Sequence, residues 1–242
     1  MLRRPLLLSL LLVPLAPLAA RAADRATPVE GSGNRIDQPR ELPPFRRLTV
    51  DGPIDVTLTA AAAERAVVQV DDNLAPLVET RVSGDTLAIG ARAGSVFRTR
   101  GRLKVTVEFR QLESLRVLGS GNVRADRLLG PIMEVTIRGS GDVAIGDLQA
   151  EVLAASISGN GDLTVAGRAD KLGVVLTGAG DLRAEKLEAR EAAVRIRGSG
   201  DARVHATATL AVDISGSGDV RYRGEPAITR SIRGSGQVAP LR

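Results

Sequence analysis

Gly139-Ser140-Gly141-Asp142 decides the fold, because this four-residue signature or a close variant occurs seven times from Gly119 onward. Each copy reads Gly-x-Gly followed by Asp, Asn or Gln, and successive copies begin 20, 20, 19, 20, 18 and 18 residues apart. Such regular repeats predict a solenoid in which each repeat forms one coil. The glycines of the seven copies are Gly119, Gly121, Gly139, Gly141, Gly159, Gly161, Gly178, Gly180, Gly198, Gly200, Gly216, Gly218, Gly234 and Gly236.

Aliphatic residues hold fixed places around each signature. Val, Ile or Leu always lies two residues before the first glycine, and Val, Leu or Ala always follows the acid or amide. The residues between them are mostly polar, so the pattern alternates with the two-residue period of a β-strand. One repeat cannot enclose a core, whereas stacked repeats join each aliphatic position into a column. The sequence therefore predicts an all-β fold, a single-stranded parallel β-helix (β-solenoid) with coils of 18–20 residues. A β-propeller is disfavoured, because each of its blades needs about 40 residues.

Glycine is expected at each corner for one of two reasons. Either the backbone adopts a positive φ, or stacked backbones approach so closely that a Cβ cannot fit. We expect the glycine at the third position of the signature to make the turn. The acid or amide after it is expected to form a hydrogen bond with the local backbone.

The composition divides the chain into four parts. Residues 1–22 combine a basic start, a short apolar run and small residues before a cleavage site, which is typical of a secretory signal peptide. Residues 23–44 are rich in proline, glycine and charge, which indicates a flexible linker. Residues 45–115 alternate like strands but lack the repeat, and we expect them to form an irregular β cap on the solenoid. Residues 116–242 hold the repeats.

The composition also limits the function. No cysteine is present, so burial and hydrogen bonds, rather than disulfides, must stabilise an exported chain. The formal charge of +5 falls by three when a leader with Arg3, Arg4 and Arg21 is removed, and the remaining charges are mixed, which argues against a nucleic-acid partner. The apolar run is too short and too often broken by proline to span a membrane. We expect an exported protein, periplasmic or extracellular, with no membrane span after signal removal.

Two groups of residues are candidates for chemistry. His205 is the only histidine, and with no cysteine or second histidine beside it we expect an outward-facing surface residue. The acids that follow the corners could organise a row of Ca²⁺ ions, but their spacing does not match the nonapeptide calcium repeat, so we expect them to stabilise turns. These weak metal candidates are Asp142, Asp162, Asp181, Asp201 and Asp219. We predict no catalytic residue and no cofactor.

The repeated corners, together with the opening Phe45-Arg-Arg-Leu-Thr-Val-Asp-Gly-Pro-Ile-Asp-Val56, resemble a bacterial family described as "putative autotransporter-adhesin head", the GIN domain. The resemblance covers roughly Phe45 to the last residue. It implies an envelope-associated, right-handed parallel β-helix. Since the family has no established catalytic residues, it implies no site residue for this chain.

These observations favour function through a surface. We expect a non-catalytic envelope or secreted protein that acts as an adhesin or assembly module through its repetitive polar faces. A glycan, an envelope surface or a second copy of the chain is the expected partner. A polysaccharide lyase or hydrolase is the alternative, because β-helices often host such enzymes, although these coils are nearly minimal. A passive periplasmic scaffold is the second alternative.

Overall fold

The computed structural model describes residues 27–241, so the predicted signal peptide lies outside the described residues. Within residues 27–241 the regular structure is β, apart from a short 3₁₀ helix at Ala75–Leu77, and no helix there is long and apolar enough to cross a membrane. The strands are β1 Val29–Glu30, β2 Arg35–Glu41, β3 Arg47–Asp51, β4 Ile54–Ala60, β5 Arg65–Asp71, β6 Val78–Ser83, β7 Thr86–Ala91, β8 Phe97–Arg98, β9 Leu103–Phe109, β10 Ser114–Leu118, β11 Val123–Leu129, β12 Ile132–Gly139, β13 Val143–Gly159, β14 Leu163–Gly178, β15 Leu182–Gly198, β16 Ala202–Gly216, β17 Val220–Arg223, β18 Ala227–Gly234 and β19 Val238–Pro240.

Each coil from β10 onward has two faces joined by the Gly-x-Gly corner. We define face A as the strand segments that end at or just before the first corner glycine, and face B as the segments that begin after the corner acid or amide. Parallel pairing joins equivalent residues of successive coils, such as Ile157 with Leu176 on face A and Val143 with Leu163 on face B. Register shifts follow face B, and a short paired segment, Leu148–Ala150 with its equivalents in the next coils, connects it to the next face A. The predicted parallel β-solenoid is confirmed.

The core lies between the two faces and consists of the aliphatic columns. Ile137 and Ile157 on face A, and Val143 and Leu163 on face B, are buried with their equivalents in the neighbouring coils. Burying one such side chain contributes about 1.5–3 kcal/mol, so a column that runs through every coil stabilises the whole stack.

The N-terminal portion continues the stack out of chain order. β3 pairs in parallel with β10, and β4 with β11, so the coil of β3 and β4 lies directly against the first repeat. β7 and β9 pair in parallel with β3 and β4 on the other side. Antiparallel strands then close this end: β6 pairs with β7, β5 pairs with β9, and β2 pairs with β5. The irregular cap is confirmed, and antiparallel strand pairs form its outer end.

The structure differs from the flexible linker expected over residues 23–44, because residues 35–41 form β2 and pair with β5 over the whole strand. Arg40 anchors β2 by donating hydrogen bonds to the carbonyl oxygens of Val78 and Ala75, at 2.7 and 2.8 Å. Burial lowers the pKa of this arginine from its ordinary value. The proline and charges that suggested a linker are residues that an edge strand tolerates.

The two glycines of each corner have different roles, and the expectation about the third position is wrong. The first glycine makes the turn, since φ is positive in six of the seven copies, with +131° at Gly139 and +124° at Gly159. The second glycine has no positive φ. It lies so close to the preceding coil that a Cβ on Gly161 would overlap the carbonyl oxygen of Gly141. A Cβ on the first glycine would overlap as well, as on Gly139 with the carbonyl oxygen of Gly119, so the first position requires glycine for both reasons and the second for close approach alone.

Gly161→Ala tests this close approach. We expect the free energy of unfolding to fall by about 3 kcal/mol, because the new methyl group overlaps backbone that is held in the ladder. Gly173→Ala is the matched control, since this glycine also lies in a repeat strand and a Cβ there meets no atom closer than 4.0 Å. Urea unfolding followed by circular dichroism compares the two variants. Equal unfolding midpoints would contradict the role assigned to the second glycine.

Candidate functional site

The acids and amides after the corners form a continuous hydrogen-bonded row, which we call the acid ladder. The Oδ1 atom of each residue except the last, Gln237, accepts a hydrogen bond from the backbone N–H at the same position of the next coil, at 2.8–3.1 Å. These bonds join separate coils, whereas the sequence predicted bonds within the local turn. The members are Asp55, Asn122, Asp142, Asp162, Asp181, Asp201, Asp219 and Gln237.

The ladder withstands the repulsion between its own carboxylates. Acids about 4.8 Å apart repel by about 1 kcal/mol in water, and the charge-assisted hydrogen bonds from the backbone offset this cost. Arg183 adds to the offset, since its guanidinium lies 2.8 Å from Oδ2 of Asp162 and 3.5 Å from Oδ2 of Asp181. The hydrogen bond with Asp162 raises the pKa of Arg183. The acids therefore stabilise the stacking of one coil on the next.

A polar cleft runs beside the acid ladder on the outside of face B, with a volume of about 430 Å³. It exists because Ala144 and Thr164 are short residues in a row whose next members are Arg124 and Arg183. One wall is the acid ladder, extended by Lys104 in register with Asp55, and the other presents guanidinium and hydroxyl groups. The polar groups that line the cleft are those of Asp55, Thr57, Lys104, Asn122, Arg124, Asp142, Asp162, Thr164 and Arg183.

An apolar groove runs along the outside of face A and has a volume of about 550 Å³. Its floor consists of the outward residues five positions before each corner glycine, and these residues are small: Ala154, Gly173, Ala193 and Ala211. Val175 forms part of one side and is 36% exposed. Neither the polar cleft nor the apolar groove was predicted from the sequence, because both arise from missing side-chain bulk rather than from a motif.

Comparison with known proteins now identifies the family. The sequence profile described as "Putative auto-transporter adhesin, head GIN domain" matches residues 44–226. The chain belongs to this family. The resemblance noted in the sequence is therefore confirmed, and GIN-family membership indicates an adhesin-like envelope or surface protein. None of the curated protein sequences matches the chain.

Solved structures share the GIN-family fold. A "putative adhesin" from Bacteroides fragilis superimposes with a TM-score of 0.84 at 22% identity, over 88% of this chain and 100% of that one. A second "putative adhesin", from Parabacteroides merdae, gives 0.74 at 24% identity, over 88% and 99%. A "putative lipid binding protein" from Parabacteroides distasonis gives 0.77 at 26% identity, over 89% and 100%.

The five aspartates predicted as weak metal candidates lie in a single row rather than around a point. Ca²⁺ takes six to eight oxygen ligands, about 2.3–2.6 Å away, which a row of single carboxylates with one committed oxygen each does not provide. Within residues 27–241 no group of three or more His, Cys, Asp or Glu side chains is placed to hold a metal ion. The Oδ1 bonds between coils give these acids a structural role, and the expectation that they hold no metal ion stays a prediction.

His205 lies on face B and points outward, since its neighbours Val204 and Ala206 are buried. In register it stands opposite Glu188 of the preceding coil and Arg223 of the following one. This agrees with the outward orientation expected from the sequence.

Asp201→Ala tests the acid ladder. Removing the acceptor leaves the N–H of Asp219 without its 2.8 Å bond, and we expect the free energy of unfolding to fall by about 1 kcal/mol. Asp201→Asn keeps an Oδ1 acceptor, as Asn122 does, and should change stability much less. Asp170→Ala, an exposed acid outside the ladder, is the control. Thermal melts with EDTA and with Ca²⁺ complete the test. A rise in melting temperature that depends on Ca²⁺ and is absent in Asp201→Asn would restore the metal alternative.

Proposed function

We propose that this GIN-family protein is a non-catalytic, exported adhesin-type module that binds a repeating polar partner, such as a glycan, through the polar cleft. The observation that carries the proposal is the layout of the cleft. Hydrogen-bond acceptors of the acid ladder line one wall over four coils, from Asp55 to Asp162, and donors such as Arg124 and Arg183 line the other. Groups repeated about every 4.8 Å suit a linear polymer that presents hydroxyl groups at many points.

The aromatic side chains explain how a sugar would be held here. Phe45 and Phe109 are buried in the N-terminal portion, Phe97 and Tyr222 are partly buried, and none of these four lines the cleft. A saccharide in the cleft would therefore be bound by hydrogen bonds and ion pairs rather than by ring stacking. Such contacts are individually weak, so useful affinity depends on several coils binding one chain.

The arrangement of the acids supports a binding role over catalysis. Glycoside hydrolases generally place two carboxyl groups on opposite sides of the scissile bond, about 5–9.5 Å apart. In the polar cleft the acids occupy one wall, and each ladder acid uses Oδ1 for a backbone N–H of the next coil. The facing groups are cationic or hydroxyl. The cleft therefore lacks the pair of opposed acids that cleavage requires.

Lipid binding is a second candidate function, and the apolar groove favours it. The solved relative from Parabacteroides distasonis carries that description, and a groove of about 550 Å³ with a floor of Ala and Gly suits an apolar ligand. The groove and the polar cleft lie on different faces of the solenoid, so one function does not exclude the other.

Filling the polar cleft tests the principal proposal. Ala144→Gln with Thr164→Gln inserts bulk without changing charge, and we expect binding to a polysaccharide to weaken by about tenfold or more because the partner is displaced. Ala179→Gln with Ser199→Gln adds the same bulk at exposed corner positions and should leave binding unchanged. The probes are immobilised dextran, polygalacturonate and chitosan.

Three outcomes of this assay would contradict the proposal. Equal binding by the cleft variant and the control would show that the polysaccharide binds another surface of the protein. A shortened polysaccharide, detected by size-exclusion chromatography, would favour the enzyme alternative. Failure to bind all three polymers and intact bacterial cells would favour a passive scaffold.

A further inference from the structure

A second concave surface adjoins the polar cleft at its N-terminal end, and we call it the basic pocket. It lies beside β2, β5 and the start of β9 and has a volume of about 460 Å³. Lys104 lines both the basic pocket and the polar cleft, so the two meet at this side chain. The residues that line the basic pocket are Arg35, Asp37, Gln69, Gly101, Arg102 and Lys104.

Strand pairing places the basic pocket and the polar cleft in one line, and we call the two together the joined groove. Lys104 is in register with Asp55, which begins the acid ladder, on one side and with Gln69 on the other. Gln69 is in turn in register with Asp37 of β2. From β2 to β15 the line crosses eight neighbouring strands, which is seven intervals of about 4.8 Å, or about 34 Å. This length suits a chain-like partner.

The joined groove carries slightly more positive than negative charge, with five cations and four acids in its lining. Arg102 pairs with Asp55 at 3.1 Å, and Arg183 pairs with Asp162 at 2.8 Å. These two ion pairs leave three cations and two acids. The groove residues that form no ion pair within residues 27–241 are the cations Arg35, Lys104 and Arg124 and the acids Asp37 and Asp142.

The acid ladder explains why Arg124 has no acid partner. Arg183, in the same row of face B, pairs with Asp162, the ladder acid of the preceding coil. The corresponding acid for Arg124 is Asp55, which already pairs with an arginine of the basic pocket. The ladder residue of the coil of Arg124 is the neutral Asn122. The unpaired cations are therefore concentrated at the N-terminal end of the joined groove.

Two kinds of group along the joined groove suit two kinds of group on a ligand. At the N-terminal end, Nη2 of Arg35 donates hydrogen bonds to the carbonyl oxygens of Gln69 and Arg102, both at 3.0 Å, which holds this guanidinium in place. Guanidinium and ammonium groups bind carboxylates through charge-assisted hydrogen bonds. Further along the groove, Asp142 and Thr164 offer a carboxylate and a hydroxyl, which bind neutral hydroxyl groups.

We propose that the joined groove binds an acidic polysaccharide, a polymer whose sugar rings carry carboxylates. Carboxylates of the polymer contact Arg35, Lys104 and Arg124, and its hydroxyl groups contact Asp142 and Thr164. The proposal rests on the proposed function, glycan binding in the polar cleft, and goes further by naming the chemical class of the glycan and the residues that select it.

Polygalacturonate and its fully methyl-esterified form share one backbone and differ in charge, so they separate the two levels of the proposal. Biolayer interferometry on the chain from residue 23 onward is expected to show binding of both, with polygalacturonate about tenfold tighter. High salt should remove this difference, because it screens exposed charges. Lys104→Gln with Arg124→Gln should weaken polygalacturonate by about tenfold and leave the ester unchanged.

Arg138→Gln with Arg197→Gln is the matched control. These exposed arginines lie on face A and line neither concave surface, so the variant removes the same charge and should bind both polymers like the wild type. Filling the cleft with Ala144→Gln and Thr164→Gln should weaken polygalacturonate and its ester alike. Circular dichroism melts establish that every variant is folded.

Poly-L-glutamate, an anionic chain without sugar rings, tests whether charge alone is sufficient. We expect it to bind more weakly than polygalacturonate, because it has no hydroxyl groups for Asp142 and Thr164 to contact. Equal binding of the two polymers would overturn the proposal, since the joined groove would then recognise charge rather than an acidic sugar.

The remaining outcomes distinguish the two levels. If dextran, polygalacturonate and its ester all fail to bind the wild-type chain, glycan binding itself fails. If polygalacturonate and its ester bind equally, the filled cleft weakens both and Lys104→Gln with Arg124→Gln changes neither, glycan binding stands and the acidic class is wrong. Unchanged binding with a filled cleft would overturn the joined groove as the site.

Discussion

The spacing between coils is the constraint on which the rest of the structure depends. Backbone hydrogen bonds hold successive coils about 4.8 Å apart, and at each corner that spacing brings one backbone against the next. The second corner glycine, such as Gly161, has room for no side chain beyond hydrogen, and the acid after it reaches the N–H of the following coil. Corner, ladder and faces therefore repeat together. A side chain on the second corner glycine would push successive coils apart and disrupt the corner, the acid ladder and the pairing of both faces.

This constraint explains how much of the fold could be predicted from the sequence. Close stacking requires glycine at a fixed interval, so the repeats, the alternating columns and the parallel solenoid were all visible in the printed chain. The cap was visible only in outline. Its coil of β3 and β4 pairs with β10 and β11, whose partner residues lie 67 positions further along the chain, and no local sequence pattern indicates such a pairing. Asp55 begins the acid ladder from that coil without a Gly-x-Gly corner before it. The strand over residues 35–41 was missed for the same reason, since its partner β5 is distant in sequence.

The candidate sites were less predictable than the fold. The acids after the corners stand out in the sequence because they recur at a fixed spacing. In the structure they accept hydrogen bonds from the backbone of the next coil. Both concave surfaces depend instead on residues that are small where their neighbours in the column are large. Ala144 between longer side chains opens the polar cleft, and Gly173 between alanines floors the apolar groove. A small residue can be recognised as the floor of a cleft only when its neighbours in space are known. Those neighbours lie one coil away in the sequence.

The coil of β18 and β19 shows how a single charged residue can protect an exposed strand edge. Ile228 and Ile232 occupy columns that are buried in the preceding coil, yet they are 39% and 37% exposed. An apolar strand edge of this kind invites pairing with other chains, and proteins oppose such pairing with charge. Arg230 lies between the two isoleucines in the same inward register and supplies that charge. A column that is aliphatic in every earlier coil thus ends in a charge at the strand edge, where a further apolar residue would favour pairing with another chain.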